Sequence, residues 1–347
     1  MPLTNRIRAT APIRICDNGG WTDTWVARHG KVFNIAVHPL VEVQLDVFPR
    51  GAHDAHVILN AENYGSRYAP AMDSDTWGAH PLLEAALRAI PPPDHQDVDA
   101  VIRSKAPAGA STGTSAAVVV AFLGALDRLA ICASKASQAA PIEIARLAHD
   151  VETRWLGRQS GVQDQLCAAF GGVNFIEITK YPEASVSRVN LSGDTFRELN
   201  RRLVLIFLGR PHSSSEVHEK VIADLERRGP DCEELNRLRA AAERARDAAV
   251  AGNLEALGRA MRENTDAQAT LHTDLVQRDA WRIIEIAAAH GAAGWKVNGA
   301  GGDGGSITLL ADPNDDAKRN MIRNIELEDP AFQSIPVEIS AAGLTVW

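Results

Sequence analysis

An α+β protein in two domains is what this sequence predicts, and three observations carry that reading. Strand-like alternation crowds the first third of the chain. Helical and strand-like stretches mix in the remainder. The regular strand–helix–strand alternation of a parallel α/β sheet is missing. The chain has 347 residues, enough for two domains of ordinary size, with 45% hydrophobic and 23% charged residues, as in soluble globular proteins.

The elements follow in order. Arg6 to Ile15 alternates weakly as a strand, and Asn18-Gly-Gly breaks it. Trp21 to His29 has the length of a short helix. Phe33 to Phe48 is strand-like, with Val37, Val41, Val43, Leu45 and Val47 partly alternating with polar residues. Val57 to Leu59 is another strand, Pro81 to Ile90 a helix ended by Pro91-Pro-Pro, and Val98 to Ser104 a strand. Pro141 to Trp155 is amphipathic, and Gly171-Gly172 precedes a strand, Val173 to Ile178. The polar stretch from Glu183 to Asp194 marks a domain boundary, giving an N-terminal unit over 1–190 and a C-terminal unit over 200–347. Leu203 to Leu208 opens the second unit as a buried strand. Charged helices follow at Ser215 to Arg228, Glu233 to Ala251, Leu254 to Asn264 and Ala280 to His290. Strands at Trp295 to Val297 and Ile307 to Leu310, a helix from Asp316 to Glu326 and a last strand, Val337 to Ile339, complete it.

The net charge of −8 argues against a broad nucleic-acid surface. Cys16, Cys132, Cys167 and Cys232 are scattered, with no zinc or redox spacing, and read as buried thiols of a reducing compartment. The first residues lack a signal-peptide core, and the longest apolar run, near Ala116 to Leu126, is too short to span a bilayer. A soluble cytoplasmic protein without a membrane partner is expected.

Chemistry concentrates in Pro107-Ala-Gly-Ala-Ser-Thr-Gly-Thr-Ser115, which runs straight into the apolar stretch. A small, glycine-punctuated loop at a helix start presents unpaired N–H groups and a partial positive charge, the usual receptor for phosphate. It lacks the spacings of a P-loop and of a dinucleotide fold, and taken alone it suits a turn and helix cap equally well. Three other segments add to it. Asn18-Gly-Gly-Trp-Thr-Asp23 puts an aspartate on a glycine turn, where it can accept hydrogen bonds from vicinal hydroxyls, with Trp21 available to a sugar face. Glu152 ends the amphipathic helix and Asp164 lies between two glutamines; a carboxylate near phosphate and a loop hydroxyl suits Mg2+, and one near a substrate hydroxyl can take or orient its proton. Lys296 to Ser306 carries Gly299-Ala-Gly-Gly-Asp-Gly-Gly305, leaving backbone room for a ligand or another loop. Singly, each reads better as an ordinary feature: a helix start, a core tryptophan, a solvated Glu, a capping Asp, a hairpin loop.

Together and in this order the segments resemble the GHMP small-molecule kinase superfamily. Pro107 to Ala116 is similar to its phosphate loop and Gly299 to Gly305 to its C-terminal glycine motif, across nearly the whole chain. Gly19-Gly-Trp-Thr-Asp23, Gln163-Asp-Gln165 and Ala169-Phe-Gly-Gly-Val-Asn174 are similar to the sugar 1-kinase branch of D-glycero-D-manno-heptose 7-phosphate kinase and L-fucose kinase. The sequence departs from the pattern at Ser111, Thr112 and Thr114, at Asp303 and Gly305, and in lacking a proline after Asp23.

The resemblance implies a ribosomal protein S5 domain 2-like N-terminal domain and a ferredoxin-like C-terminal domain. It implies ATP with its phosphates on Pro107, Gly109, Ala110, Ser111, Thr112, Gly113, Thr114 and Ser115, and Mg2+ held by Ser115 and Glu152. Asp164 would take or orient the proton of an anomeric hydroxyl, with Arg14 beside it. Gly19, Gly20, Trp21, Asp23, His212, Gly299, Gly301 and Gly302 would line the substrate. The partners are ATP and a sugar or sugar phosphate, with a homodimer left open. Heptose 7-phosphate stands ahead of L-fucose or another free sugar. Arg28, Lys31, Arg67 and Arg210 are the candidates for a second phosphate pocket. The alternatives are a kinase for a non-sugar alcohol and a catalytically silent sensor on the same fold.

Overall fold

The structure, a computed structural model, describes residues 2–134, 138–210 and 215–347. In chain order the first part contains β1 (Asn5–Asn18), β2 (Gly30–Pro49), β3 (Val57–Ala61), β4 (Ser66–Tyr68), α1 (Pro81–Ala89), β5 (Gln96–Ser104), α2 (Thr114–Ser134), α3 (Pro141–Asp150), α4 (Gln163–Phe170), β6 (Val173–Lys180) and β7 (Glu183–Arg188). The second part contains α5 (Gly193–Arg202), β8 (Leu203–Phe207), α6 (Ser215–Arg228), α7 (Glu233–Val250), α8 (Leu254–Leu271), α9 (Arg278–Ala289), β9 (Gly294–Val297), β10 (Ser306–Leu310), α10 (Asp315–Glu328), β11 (Gln333–Ile335) and β12 (Thr345–Val346).

Two sheets organise the molecule, one of eight strands and one of four in the order β11-β8-β10-β9. The larger runs β12-β1-β2-β5-β3-β4, with β6 and β7 branching from β2. Strand β2 divides its pairing: Gly30–Ile35 lies on β6 and Val41–Pro49 on β5. Among the described residues only β3 and β5 run parallel; the other ladders are antiparallel, the α+β pattern. The side chains of β1 alternate at first and are all buried from Ala11 to Asn18, because α7 and α8 of the second part cover this end.

Local signals explain the helix ends. Pro81 and Pro141 open α1 and α3, where a missing N–H costs nothing. Ser192, Asn253 and Asn314 cap α5, α8 and α10 through their side-chain oxygens. One hydrophobic core lies between the large sheet and α1–α4, and another fills the lobe junction. There Ile13, Ile15, Phe33 and Ile35 of the large sheet meet Leu205 and Phe207 of the small sheet and Ala242, Leu257 and Met261 of the helices.

Several expectations need correction. Trp21 to His29 is a chain of turns, with Trp21 and Arg28 at positive φ; β-branched Thr22, Thr24 and Val26 and two tryptophans disfavour a helix there. The stretch 183–194 holds the exposed edge strand β7 and the start of α5. No strand forms at 337–339, where Ile339 makes a single bridge to Val37. The end of the chain returns to the first sheet instead: β12 pairs with β1, and Leu344 packs beneath Gly124. Helix α2 is longer than its apolar run, and over Thr114–Cys132 it is long and apolar enough to cross a membrane by length and composition alone. It is apolar on most sides because it is wedged between the large sheet and α1, α3 and α4, with Val119, Val120, Phe122 and Leu123 fully buried. Cys16 and Cys167 are buried, but Cys132 is exposed and Cys232 half-buried.

Candidate active site

The loop before α2 is shaped by what holds its carbonyls. Ser306 Oγ donates to Ala110 O at 2.5 Å, the Arg14 guanidinium donates to Ser111 O, and the Arg14 backbone N–H donates to Thr112 O at 2.9 Å. Gly109, Ser111 and Gly113 all have positive φ. For Ser111 that conformation costs about 1 kcal/mol, which its anchored carbonyl offsets. The Thr112 and Thr114 hydroxyls bond each other at 3.1 Å, while Ser115 stays exposed on the helix N-terminus.

Asp164, in the first turn of α4, faces this loop. Arg14 Nε donates to its Oδ1 at 2.8 Å and Nη2 to its Oδ2 at 3.3 Å. Contact is close enough that a Cβ on Gly113 would lie 3.1 Å from the Asp164 carboxyl carbon, at φ +68°. Burial works against the Arg14 charge, but Asp164 and Asp17 outweigh it and hold the guanidinium protonated.

Glu152 sits in a single π-helical turn, Val151–Trp155, that continues α3. Its Oε2 accepts from Ser160 Oγ at 2.7 Å and Gln165 Nε2 at 2.9 Å. Burial, with help from Asp164, raises its pKa against the pull of those donors. Beside it, Asp23 is buried and accepts from the Gln163 backbone N–H at 3.1 Å. Desolvation pushes Asp23 up to about 6, and the charges of Asp164 and Asp17 add to the rise.

A cleft of about 310 Å3 is lined by Arg14, the loop from Gly109 to Ala116, Glu152, Arg158, Gln159, Asp164, His218, Gly299 and Ala300, with the buried Asp23 outside its lining. A second, more apolar cavity of about 440 Å3 adjoins it, sharing Gly109, Thr114, Ser115 and Arg158 and reaching Tyr64, His80, Leu83 and Ile102. Sequence-distant stretches therefore converge, with Gly299 so near the loop that a Cβ there would lie 3.2 Å from Ser111 Cβ.

Not every expected residue lines the cleft. Pro107 begins the turn, its carbonyl accepting from Ala110 N–H. Trp21 is packed in a hydrophobic cluster with Leu235 and Leu275; its indole N–H donates to Ala300 O at 3.2 Å and its ring meets His218 edge-on, so it offers no face to a sugar. Gly19 and Gly301 are packing positions, where a Cβ would come within 1.9 Å of Lys31 O and 2.2 Å of Leu275 O. Gly302 donates its N–H to Leu275 O, and Gly20 lies against the Asp17 carboxylate. His212 lies outside the described residues. Asp303 turns away from the loop and meets Arg210 at 3.7 Å. The four cations considered for a second phosphate pocket do not assemble: Lys31 pairs with Glu243, Arg67 with Asp99, Arg210 with Asp279, and Arg28 is exposed.

The sequence also hid an ionic network beneath the cleft. Lys296, buried in β9, lies 3.4 Å from Asp17 and donates to Gln268 Oε1 at 3.0 Å. Asp17 accepts the Gly299 N–H at 3.0 Å, and Gln268 donates to Gly299 O. Burial lowers the Lys296 pKa while Asp17 raises it. The network ties the C-terminal glycine loop to Arg14.

Comparison with known proteins gives this arrangement a family. The model of the GHMP kinase N-terminal domain matches residues 79–172 and that of the C-terminal domain matches residues 232–325, together more than half of the chain. The chain belongs to the GHMP kinases. Among relatives of this GHMP kinase, D-glycero-alpha-D-manno-heptose 7-phosphate kinase of Campylobacter jejuni is 26% identical over 207 residues; the match spans 59% of each protein. A mevalonate kinase of Methanothermobacter thermautotrophicus is 28% identical over 72% of this chain and 75% of that one. The crystal structure of a D-glycero-D-manno-heptose 1-phosphate kinase from Bacteroides thetaiotaomicron superposes with a TM-score of 0.74 at 20% identity, covering 98% of both chains. That last likeness concerns the two-domain α+β fold.

Proposed function

We propose that this GHMP kinase transfers the terminal phosphoryl group of ATP to the anomeric hydroxyl of a sugar or sugar phosphate. The observation that carries the reading is the Arg14–Asp164 pair held against the glycine-rich loop at the start of α2. ATP would seat its base in the apolar cavity and its phosphates on the N–H groups of the loop and first helical turn. The acceptor hydroxyl would lie over Asp164. As its oxygen bonds to the γ-phosphorus, the bond to the ADP oxygen breaks and the proton passes to Asp164. Arg14 anchors Asp164 through its two hydrogen bonds and stands where it can stabilise charge on the transferring group.

Mg2+ fits the residues present. Ser115 and Glu152 supply hard oxygens on the same cleft, and no cluster of three His, Cys, Asp or Glu side chains among the described residues could hold a metal without phosphate oxygens. Held there, the ion would neutralise charge on the phosphates. Asp23 would act on the substrate indirectly, by fixing the start of α4 through Gln163 N–H, with Gly299 at the cleft wall. We also propose the division near residues 190–200, with the end of the chain joined to the first unit.

A heptose phosphate leads the substrate panel because heptose phosphate kinases occur among both the sequence relatives and the structural neighbours. The mevalonate kinase relative supports a non-sugar alcohol as the second reading. Incubation with MgATP and heptose 7-phosphate, fucose, galactose, arabinose and mevalonate, followed by mass spectrometry, distinguishes them. ATP binding without ADP release on any acceptor would identify a sensor instead.

A further inference from the structure

We propose that Arg158 grips the phosphate chain of the nucleotide at the boundary between the two cavities. The inference rests on the kinase reading above and goes beyond it, since nothing in the family motifs supplies this residue. The phosphate loop from Pro107 to Ser115 contains neither Lys nor Arg. Three cationic arginines line the two cavities. Arg14 is committed to Asp164 and to the Ser111 carbonyl, and Arg103 is held by Glu42 at 2.6 Å. Arg158 forms no ion pair with a carboxylate among the described residues, and its charge works against the rise in the Glu152 pKa.

Its position is fixed by backbone. After the π-helical turn, Gly157 at φ +63° reverses the chain, and Arg158 N–H donates to Glu152 O at 2.9 Å. The side chain therefore starts beside the Glu152 backbone, and Arg158 borders both cavities, as Ser115 does. A nucleotide with its base in one cavity and its terminal phosphate in the other must cross this boundary. With Asp164 and Glu152 in the cleft and Arg14 engaged, a triphosphate carrying three to four negative charges still meets a deficit of cations there after one Mg2+ is counted. Arg158 is placed to reduce that deficit through charge-assisted hydrogen bonds.

Titration calorimetry with MgATP and with adenosine, on wild type, Arg158→Ala and Arg158→Lys, tests the proposal. Arg158→Ala should weaken MgATP binding about 10- to 100-fold, leave adenosine binding and the melting temperature unchanged, and be partly rescued by Arg158→Lys. Unchanged MgATP affinity in Arg158→Ala overturns the proposal, and so does an equal loss for adenosine, which would mark a structural role. If wild type binds neither ligand, the kinase reading itself falls.

Discussion

At the scale of single residues, Asp164 and Asp23 show how environment separates two nearby carboxylates. Asp164 is partly exposed and clasped by Arg14, whereas Asp23 is buried with a single backbone donor. Replacing Asp164 by Asn keeps the shape and an acceptor for Arg14 but removes the proton acceptor. Turnover should fall by about 100- to 10,000-fold while MgATP affinity stays within a few fold of wild type. A steady-state assay with parallel calorimetry measures both. Asp23 has a different signature. An acid whose folded-state pKa is raised stabilises the fold while protonated, and that contribution is lost as pH rises from about 4 towards about 6. In urea unfolding, the stability of wild type relative to Asp23→Asn should therefore decline by about 3 kcal/mol across that window, then level off. A flat difference would show that Asp23 is not desolvated in the folded state.

At the scale of elements, the glycine-rich loop and α4 form one contact unit. Gly113→Ala places a methyl group at positive φ against Asp164 and the Arg14 stem. Melting should shift down by the equivalent of about 1–2 kcal/mol, and turnover should fall more steeply than stability, because the displaced group is the carboxylate proposed to receive the acceptor's proton. Stability preserved together with full activity would count against the tight docking of loop and helix. The sequence marked out the glycine-rich loop and Asp164 because small residues, glycine spacing and one acid between two glutamines survive as local pattern, whereas the place of Arg14 beside Asp164 came only from the family resemblance; the structure brings the three together. Trp21 was misread because nothing local distinguishes an aromatic ring that meets a ligand from one packed under His218. Asp17 and Lys296 were missed for a similar reason: their pairing depends on β1 and β9 approaching across the two sheets, which no periodicity encodes. The run 337–339 looked like a strand by composition, yet Ile339 spends its apolar side chain at the lobe junction rather than in a ladder.

At the scale of the whole molecule, the chain order and the spatial order part company at the end. Trp347 and Arg8 exchange backbone hydrogen bonds, and Leu344 N–H donates to Ala169 O. Deleting residues 341–347 should destabilise the unit built from the first half of the chain, exposing the edge of β1 and the floor under α2. The check is hydrogen exchange: protection should drop in β1 and α2 and hold in β8 and β10. Equal loss in both sheets would mean the molecule unfolds as one cooperative block.

The apolar seam between the lobes carries a consequence for how such an enzyme must breathe. Phe33, Ile35, Phe207 and Met261 fuse the halves along their shared flank, so prising them apart would wet several large side chains at once. Wide jaw-like opening is thereby expensive, and under the proposed function turnover would rely on small excursions of the segments around the rim. Discrimination among acceptors would then come from a mould that is already set before the guest arrives.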